Sequence, residues 1–156
     1  MDIRVGPIAV EVLEPLRSLR IHVDDKESGI KAALTFTARA LALEEPRFTR
    51  ELGPGLLMDY TRLTQNGTYQ GTLEIKGERI PVTPDSWLGT RDRSWGIRPI
   101  GRPDDAAQQA LLLQFYWLWA PVNFDDCISI YDLNSDEKGE PWHTHGAIAP
   151  LYEGPP

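Results

Sequence analysis

The segment from Trp87 to Arg98 concentrates residue types that could build the polar end of a ligand pocket. Arg91, Asp92 and Arg98 stand close to Trp95 in this segment. A guanidinium can orient a carbonyl or carboxylate group, and aromatic rings can wall the rest of a ligand. The same residues can instead pin a loop across one end of a β fold, because ion-pair networks are often purely structural. The sequence favours the structural role and leaves the binding role open.

Proton transfer is a second chemistry that this region could carry. Asp92 is the candidate acid or base within the segment, and Asp59 and Tyr60 are candidates from a neighbouring strand. Asp59 and Tyr60 also fit ordinary strand residues that face water. Nucleophile elbows, phosphate-binding glycine loops and paired-cysteine motifs are absent from the sequence, so no cofactor is expected.

Aromatic and imidazole side chains near the other end of the chain supply further candidates. Trp117 and Trp119 could line a cavity for a flat or isoprenoid ligand, although such residues more often fill a core. His143 and His145 share one face of a predicted strand, a spacing that metal sites use. Two imidazoles do not make a metal site, so we expect no metal and interpret both as surface or pocket residues.

β-strands must position these residues. Apolar and polar residues alternate with a period of two along much of the chain, which is typical of half-buried strands. We predict strands at residues 19–24, 30–40, 58–65, 68–75, 79–83, 114–119 and 142–149, with a further strand around Ile128 and Ile130. The predicted fold is all-β, either an antiparallel lipocalin-like barrel or a strongly curved sheet.

Local signals predict four connections and one sheet position. The polar run at 24–29 predicts a connection that ends at Gly29, and Lys76-Gly77-Glu78 predicts a turn. Asn66-Gly67 predicts a type I′ hairpin turn, because both central residues of that turn need a positive φ. Residues 44–55 contain Pro46 and a Gly-Pro-Gly run, which predicts a loop. The strand at 114–119 is apolar, or nearly so, on both faces, so it is predicted to lie in the centre of its sheet.

Composition narrows the class of protein. The 156 residues fit one domain over 1–156, and 16 basic against 23 acidic side chains give a net charge of -7. The basic residues are scattered, so nucleic-acid binding is not expected. Cys127 is the only cysteine and fits a reducing cytosol. The start of the chain lacks a signal-peptide pattern and the longest apolar run is too short to span a bilayer, so a cytoplasmic protein is predicted.

Residues 89–98 also carry a resemblance to a known family. They read Gly-Thr-Arg-Asp-Arg-Ser-Trp-Gly-Ile-Arg. This run resembles the Gly-x-Arg-Asp-His-Ser-Trp-Gly-x-Arg signature of uncharacterised bacterial proteins in the superfamily of carotenoid 1,2-hydratase (hydroxyneurosporene synthase) and AttH-like proteins. Residues 60–73 resemble the strand and hairpin that precede the signature there, and residues 13–16 resemble the opening of the family's central segment. Arg93 stands where that family has histidine, and a guanidinium cannot usefully release a proton, which puts proton transfer at that position in doubt.

The resemblance implies an apolar-lined barrel, in a chain that either pairs with a copy of itself or has lost or been cut from a partner half. Members of the superfamily resemble two packed lipocalin-like halves in a chain about twice this length, and this sequence matches the junction and the second half. Relatives include hydratases of isoprenoid double bonds and fungal cyclases that promote Diels–Alder reactions. Family membership alone does not fix the function of a chain.

Three functions remain under consideration. The first is binding of an apolar small molecule (isoprenoid, steroid-like or polyketide-like), with Trp95, Trp117 and Trp119 as walls and Arg91, Asp92 and Arg98 ordering its polar end. The second is a cofactor-independent hydratase, isomerase or cyclase acting in the same cavity. The third is a half-barrel interaction module that forms a homodimer.

Overall fold

The computed structural model describes residues 2–52, 55–97 and 116–153. The strands in these residues are β1 (Ile3–Val5), β2 (Ile8–Glu14), β3 (Ser18–Asp25), β4 (Ile30–Ala38), β5 (Leu43–Glu44), β6 (Phe48–Leu52), β7 (Gly55–Ile75), β8 (Glu78–Val82), β9 (Leu88–Ile97), β10 (Tyr116–Asn123), β11 (Cys127–Ser135) and β12 (Pro141–Pro150). The strand pairings with a defined register are antiparallel. The predicted all-β class, with a strongly curled antiparallel sheet of the lipocalin-like kind, is confirmed. None of the described residues form a helix long and apolar enough to cross a membrane.

The chain divides into two compact units. Unit 1 comprises residues 1–41, 65–91 and 150–156, and unit 2 comprises residues 42–64 and 92–149. The long strands β7 and β9 each contribute one part to unit 1 and the other part to unit 2. The prediction of a single domain over 1–156 stays a prediction.

Unit 1 is built on the meander β1 to β4, which continues into the second part of β7 and into β8. The polar connection predicted between β3 and β4 is confirmed. Ser28 Oγ donates to Asp25 Oδ2 at 2.6 Å, and Gly29 takes a φ of 73°, which glycine adopts readily. Phe36 of β4 is fully buried, and its ring packs edge-on against Tyr69 with 5.3 Å between centroids.

The predicted hairpin turn at Asn66-Gly67 is wrong, because β7 runs without a break from Gly55 to Ile75. Neither residue has the positive φ that a type I′ turn requires. Asn66 is buried, and its side-chain oxygen accepts a hydrogen bond from Thr90 Oγ1 at 3.2 Å. A Cβ at Gly67 would collide with the ring of Phe36. The glycine therefore serves a close approach between strands rather than a turn.

The turn that β7 does make lies at Lys76-Gly77, as predicted. Lys76 has a φ of 51° and Gly77 a φ of 87°. Positive φ at both central residues is the condition for a type I′ hairpin. This turn connects β7 to β8, and Ile75 pairs with Glu78 across it.

Unit 2 contains β5, β6, the first part of β7, the last part of β9 and the sheet β10-β11-β12. Phe48 of β6 pairs in register with Tyr60 of β7, and their rings pack at 5.0 Å between centroids. Ile128 and Ile130 of β11 are almost completely buried. These four side chains form the apolar core beside which the polar residues of this unit lie.

Two sequence predictions in unit 2 need correction. The predicted loop at 44–55 contains β6, because Phe48 is apolar and buried and its strand pairs with β7. The arginine-rich segment, for which no strand is predicted, forms the strand β9. The strand predicted to be central is β10, which pairs only with β11 among the described residues and so lies at one end of its sheet. Gln114 and Phe115, the first two residues of that prediction, lie outside the described residues.

Candidate functional site

Unit 2 holds a small pocket with a mixed polar and aromatic lining. Its polar wall includes Glu45, Arg62, Asp132 and His143, and its aromatic wall consists of Phe48, Tyr60 and Trp117. The enclosed volume is about 10 Å³. A volume of this size is near the lower limit that one water molecule needs. The pocket can therefore enclose one small polar group, and not the body of a ligand.

Strand alternation brings the polar residues of β11 to the pocket. Ile130, Asp132 and Asn134 occupy alternate positions on one buried face of β11. In the register with β10, Trp119 lies opposite Asp132 and Trp117 lies opposite Asn134. The apolar alternation of β11 thus continues into two buried polar side chains, which the two indoles of β10 cover.

Arg62 is the most unusual side chain of the pocket. The residue is 6% exposed, and its guanidinium lies 5.6 Å from the ring centre of Trp117 and 5.2 Å from that of Trp119. Its Nη1 lies 3.6 Å from Glu45 Oε2 and its Nε lies 3.7 Å from Asp92 Oδ2. These distances suit ion pairs and are too long for hydrogen bonds, and neither nitrogen has a hydrogen-bond partner. Such buried donors are costly to leave unpaired.

Glu45 provides the buried counter-charge to Arg62. The residue is 5% exposed. Its Oε1 accepts hydrogen bonds from Thr64 Oγ1 at 2.7 Å and from Trp119 Nε1 at 3.1 Å. Charge-assisted bonds of this kind fix a carboxylate firmly. Glu45 therefore holds Trp119 and places its second oxygen toward Arg62.

His143 and Asp132 form a second polar pair in the same pocket. His143 Nε2 lies 3.3 Å from Asp132 Oδ2, with side chains 13% and 4% exposed. Asp132 Oδ1 accepts from Trp117 Nε1 at 3.2 Å and from Asn134 Nδ2 at 3.3 Å. The ring of Phe48 packs edge-on against the imidazole at 5.3 Å. A carboxylate close to an imidazole is a pairing that general acid–base catalysis uses.

Several predicted site residues lie in or next to this pocket. Tyr60, Trp117 and His143 line it. Trp119 donates a hydrogen bond to Glu45, which lines the pocket. Asp92, whose side chain is 45% exposed, forms an ion pair with Arg62, which also lines the pocket. Asp92 is therefore an ion-pair partner of a pocket arginine.

Asp59 takes part in a separate ion pair. Arg47 donates to both of its carboxylate oxygens at 2.6 Å, and Thr49 Oγ1 donates to one of them at 3.1 Å. The hydrogen bond from Arg47 is the main reason that the pKa of Asp59 lies below its ordinary value. Asp59 is consequently poorly suited to donate a proton near neutral pH.

The other predicted residues lie outside the pocket lining. Trp95 is 47% exposed. His145 is partly buried and its Nδ1 has no hydrogen-bond partner. Arg91 belongs to unit 1, where its guanidinium lies 5.9 Å from the ring centre of Phe36. Arg98 lies outside the described residues.

Gly96, in the segment at 89–98, allows two strands to pack closely because it has no side chain. Gly96 has a φ of 131°, a conformation that other residues rarely adopt. A Cβ at this position would lie 2.6 Å from the Cα of Tyr60. The absence of a side chain lets β9 approach the strand that carries Tyr60 and Arg62. Gly96 thus supports the pocket wall through this close packing, although it contributes no side chain to the lining.

Sequence reasoning missed Glu45, Arg62 and Asp132. Asp132 carried a usable signal, because it continues the buried alternation of Ile128 and Ile130. Arg62 lies two residues beyond Tyr60 and so shares its strand face. Glu45 carried no such signal, since it lies in a region predicted to be a loop.

The described residues contain no group of three or more His, Cys, Asp or Glu side chains arranged to hold a metal ion. His143 and His145 share a strand face, as their spacing predicts, and His143 is directed to Asp132.

Comparisons with known proteins give one match. A family profile described as "Family of unknown function (DUF8625)" matches residues 1–155. A search of curated proteins found no match, and a search of solved structures found none either. Because the match extends over nearly all of the sequence, the chain belongs to the DUF8625 family.

Proposed function

We propose that this chain binds a small molecule with an apolar body and a polar end, and that the pocket of unit 2 receives the polar end. The observation that carries the proposal is the buried guanidinium of Arg62, which lies beside two indoles with two nitrogens lacking hydrogen-bond partners. A buried group that costs free energy to leave unpaired is a common mark of a functional site.

The apolar body would lie against the aromatic surface around the pocket. Trp117 is 50% exposed although its Nε1 is fixed by Asp132. An indole with one edge anchored and much of its surface open offers a rigid contact at little cost in side-chain entropy. The isoprenoid, steroid-like and polyketide-like classes all have apolar bodies of this kind, and the resemblance of residues 89–98 to the carotenoid hydratase superfamily supports the first.

Native mass spectrometry of the purified protein, with a denatured sample beside it, tests the proposal. We expect a discrete non-covalent mass on the wild-type protein that denaturation removes. Arg62→Met should lose this mass, because the polar end loses its donors. Trp117→Phe, which keeps a ring and removes the indole N–H, should hold it less tightly.

Arg47→Met is the matched control. Arg47 is an arginine of the same unit that pairs with a carboxylate and lies outside the pocket lining. Equal loss of the mass in the Arg47 and Arg62 variants would contradict the proposal. So would a protein that carries no mass as purified and binds no isoprenoid, steroid or polyketide probe afterwards.

A proton-transferring enzyme is the second candidate, favoured by the contact between His143 and Asp132. Histidine is a common general acid or base in enzymes, and Asp132 Oδ2 lies 3.3 Å from the Nε2 of His143. A hydratase or isomerase with this pair would exchange carbon-bound hydrogen of its ligand with solvent. Incubation of the retained ligand with the protein in D₂O should then raise the ligand mass, and His143→Gln should abolish the increase while the ligand stays bound. No deuterium uptake by the wild-type protein would rule against catalysis by this pair.

Pairing of two copies is the third proposal. The strands β1 and β2 expose Ile3, Val5 and Ile8, of which Val5 is 70% exposed. Neighbouring exposed apolar side chains are typical of interaction surfaces. The native mass spectrum also reports the oligomeric state, and a dimer that Val5→Lys converts to a monomer would support this proposal. A monomeric wild-type protein at micromolar concentration would contradict it.

A further inference from the structure

We infer that the polar end of the ligand is a single uncharged oxygen, a hydroxyl or a carbonyl group, that accepts a hydrogen bond from Arg62. This inference rests on the function proposed above and names the chemical class that the same pocket would take. Three properties of the pocket support it: its volume, the type of its unpartnered atoms and the balance of charge around it.

The volume restricts the group to about one heavy atom. The pocket encloses about 10 Å³, which one water molecule or one oxygen atom fills. A carboxylate, sulfate or phosphate group has several oxygens around a central atom. None of these groups fits without displacing the fixed side chains of Glu45 and Asp132, each of which accepts two hydrogen bonds on one oxygen.

The unpartnered atoms require an acceptor. The buried atoms of Arg62 without hydrogen-bond partners are Nε and Nη1, and both are N–H donors. An ammonium group is small enough for the pocket but can only donate, so it would leave both donors unpaired. A hydroxyl or carbonyl oxygen can accept a hydrogen bond from one of them. The two N–H groups diverge within the guanidinium plane, so the other donor keeps its ion pair with a carboxylate.

The charges exclude an anion. Glu45 and Asp132 line the pocket, and Asp92 approaches Arg62 at 3.7 Å. Arg62 and His143 are the cationic residues of the lining, and only Arg62 is always charged. Three carboxylates therefore face at most two positive charges. A ligand carboxylate would meet net repulsion in a buried setting, where charges interact strongly.

Binding of a series with one skeleton and different ends tests the inference. The probes are farnesol, farnesal, farnesoic acid, farnesylamine and the hydrocarbon farnesene, titrated at pH 7 into ligand-stripped protein with tryptophan fluorescence and calorimetry as readouts. Farnesol or farnesal should bind at least about tenfold more tightly than the acid, the amine and the hydrocarbon.

A charge variant adds an independent readout. Glu45→Gln removes one negative charge and keeps an oxygen to accept from Thr64 and Trp119. It should narrow the preference for farnesol over farnesoic acid several-fold. Glu11→Gln changes an exposed glutamate of unit 1 and should leave the preference unchanged. Circular dichroism confirms that each variant is folded.

The possible failures can be told apart. Tightest binding of farnesoic acid or farnesylamine would overturn the uncharged-oxygen inference and leave small-molecule binding intact. Equal binding of farnesene and farnesol would also overturn this inference, because the pocket would then contribute nothing to the affinity for the ligand's oxygen. No saturable binding of any probe would count against both this inference and the proposed binding of an isoprenoid.

Discussion

Replacement of Arg62 by methionine should destabilise unit 2, and the structure allows the size of the effect to be worked out. Methionine has a similar length and keeps a polarizable contact with the indoles of Trp117 and Trp119. It removes the charge that faces Glu45 Oε2 at 3.6 Å. The carboxylate of Glu45 is 5% exposed, so water cannot replace the lost guanidinium. The variant therefore isolates a buried carboxylate without opening a large cavity.

The expected loss in the free energy of unfolding is about 3 kcal/mol. Removal of one partner from a buried ion pair costs about 3 to 5 kcal/mol. The lower end applies here, because Glu45 Oε1 retains its hydrogen bonds from Thr64 and Trp119 and the ion-pair distance is long. At about 2 to 4 °C per kcal/mol for a chain of this size, the melting temperature should fall by about 6 to 12 °C.

Urea denaturation followed by tryptophan fluorescence and circular dichroism measures the loss. The Arg47→Met variant is the control, and it should be much less destabilised because the side chain of Arg47 is 64% exposed. The double variant Glu45→Gln with Arg62→Met should recover part of the loss, since it removes the uncompensated charge. A loss below about 1 kcal/mol in Arg62→Met, or no recovery in the double variant, would refute this account of the buried pair.

Further predictions concern single side chains elsewhere. Gly96→Ala should cost at least about 2 kcal/mol in urea denaturation, because alanine does not tolerate a φ of 131° and its Cβ would contact β7; an unchanged midpoint would contradict the close approach. The pKa of Asp59 is lowered by its hydrogen bonds from Arg47, so the unfolded state binds the proton more tightly. Wild type should thus exceed Asp59→Asn in stability above about pH 4, and the difference should vanish as the pH falls through the lowered pKa; a difference that persists at pH 2 would argue against this. Burial and the neighbouring Asp126 raise the pKa of the Cys127 thiol. The rate of its alkylation by iodoacetamide, measured against pH, should therefore reach its midpoint at a higher pH than the rate for the thiol of glutathione. An equal or lower midpoint would contradict the raised pKa.

Much of the fold could be predicted because strand alternation is a local property. The paired strands β3 and β4 follow from the period of two, and the turn at Gly29 follows from its position between polar residues. Asn66-Gly67 misled the prediction, because the same dipeptide that forms hairpin turns can serve a close approach to Phe36. Only tertiary packing distinguishes the two uses.

The candidate site was predictable only in part. Tyr60, Trp117 and His143 belong to conspicuous residue types and do line the pocket. Glu45 and Asp132 are ordinary acidic residues in the sequence, and they become unusual only when burial and long-range pairing remove them from water. Contacts between residues far apart in the chain decide this, and no local pattern reports them.

The most direct test of the central claim is a two-dimensional NMR titration of protein labelled with ¹⁵N-tryptophan, with farnesol as the ligand and Trp→Phe variants to assign the indole signals. Ligand binding at the pocket of unit 2 predicts saturable shifts of the Trp117 and Trp119 Nε1 signals, which report hydrogen bonds to Asp132 and Glu45. The signal of Trp95 should stay in place. Shifts confined to Trp95, or no shift of Trp117 and Trp119 while the ligand demonstrably binds, would contradict the claim that this pocket receives the ligand.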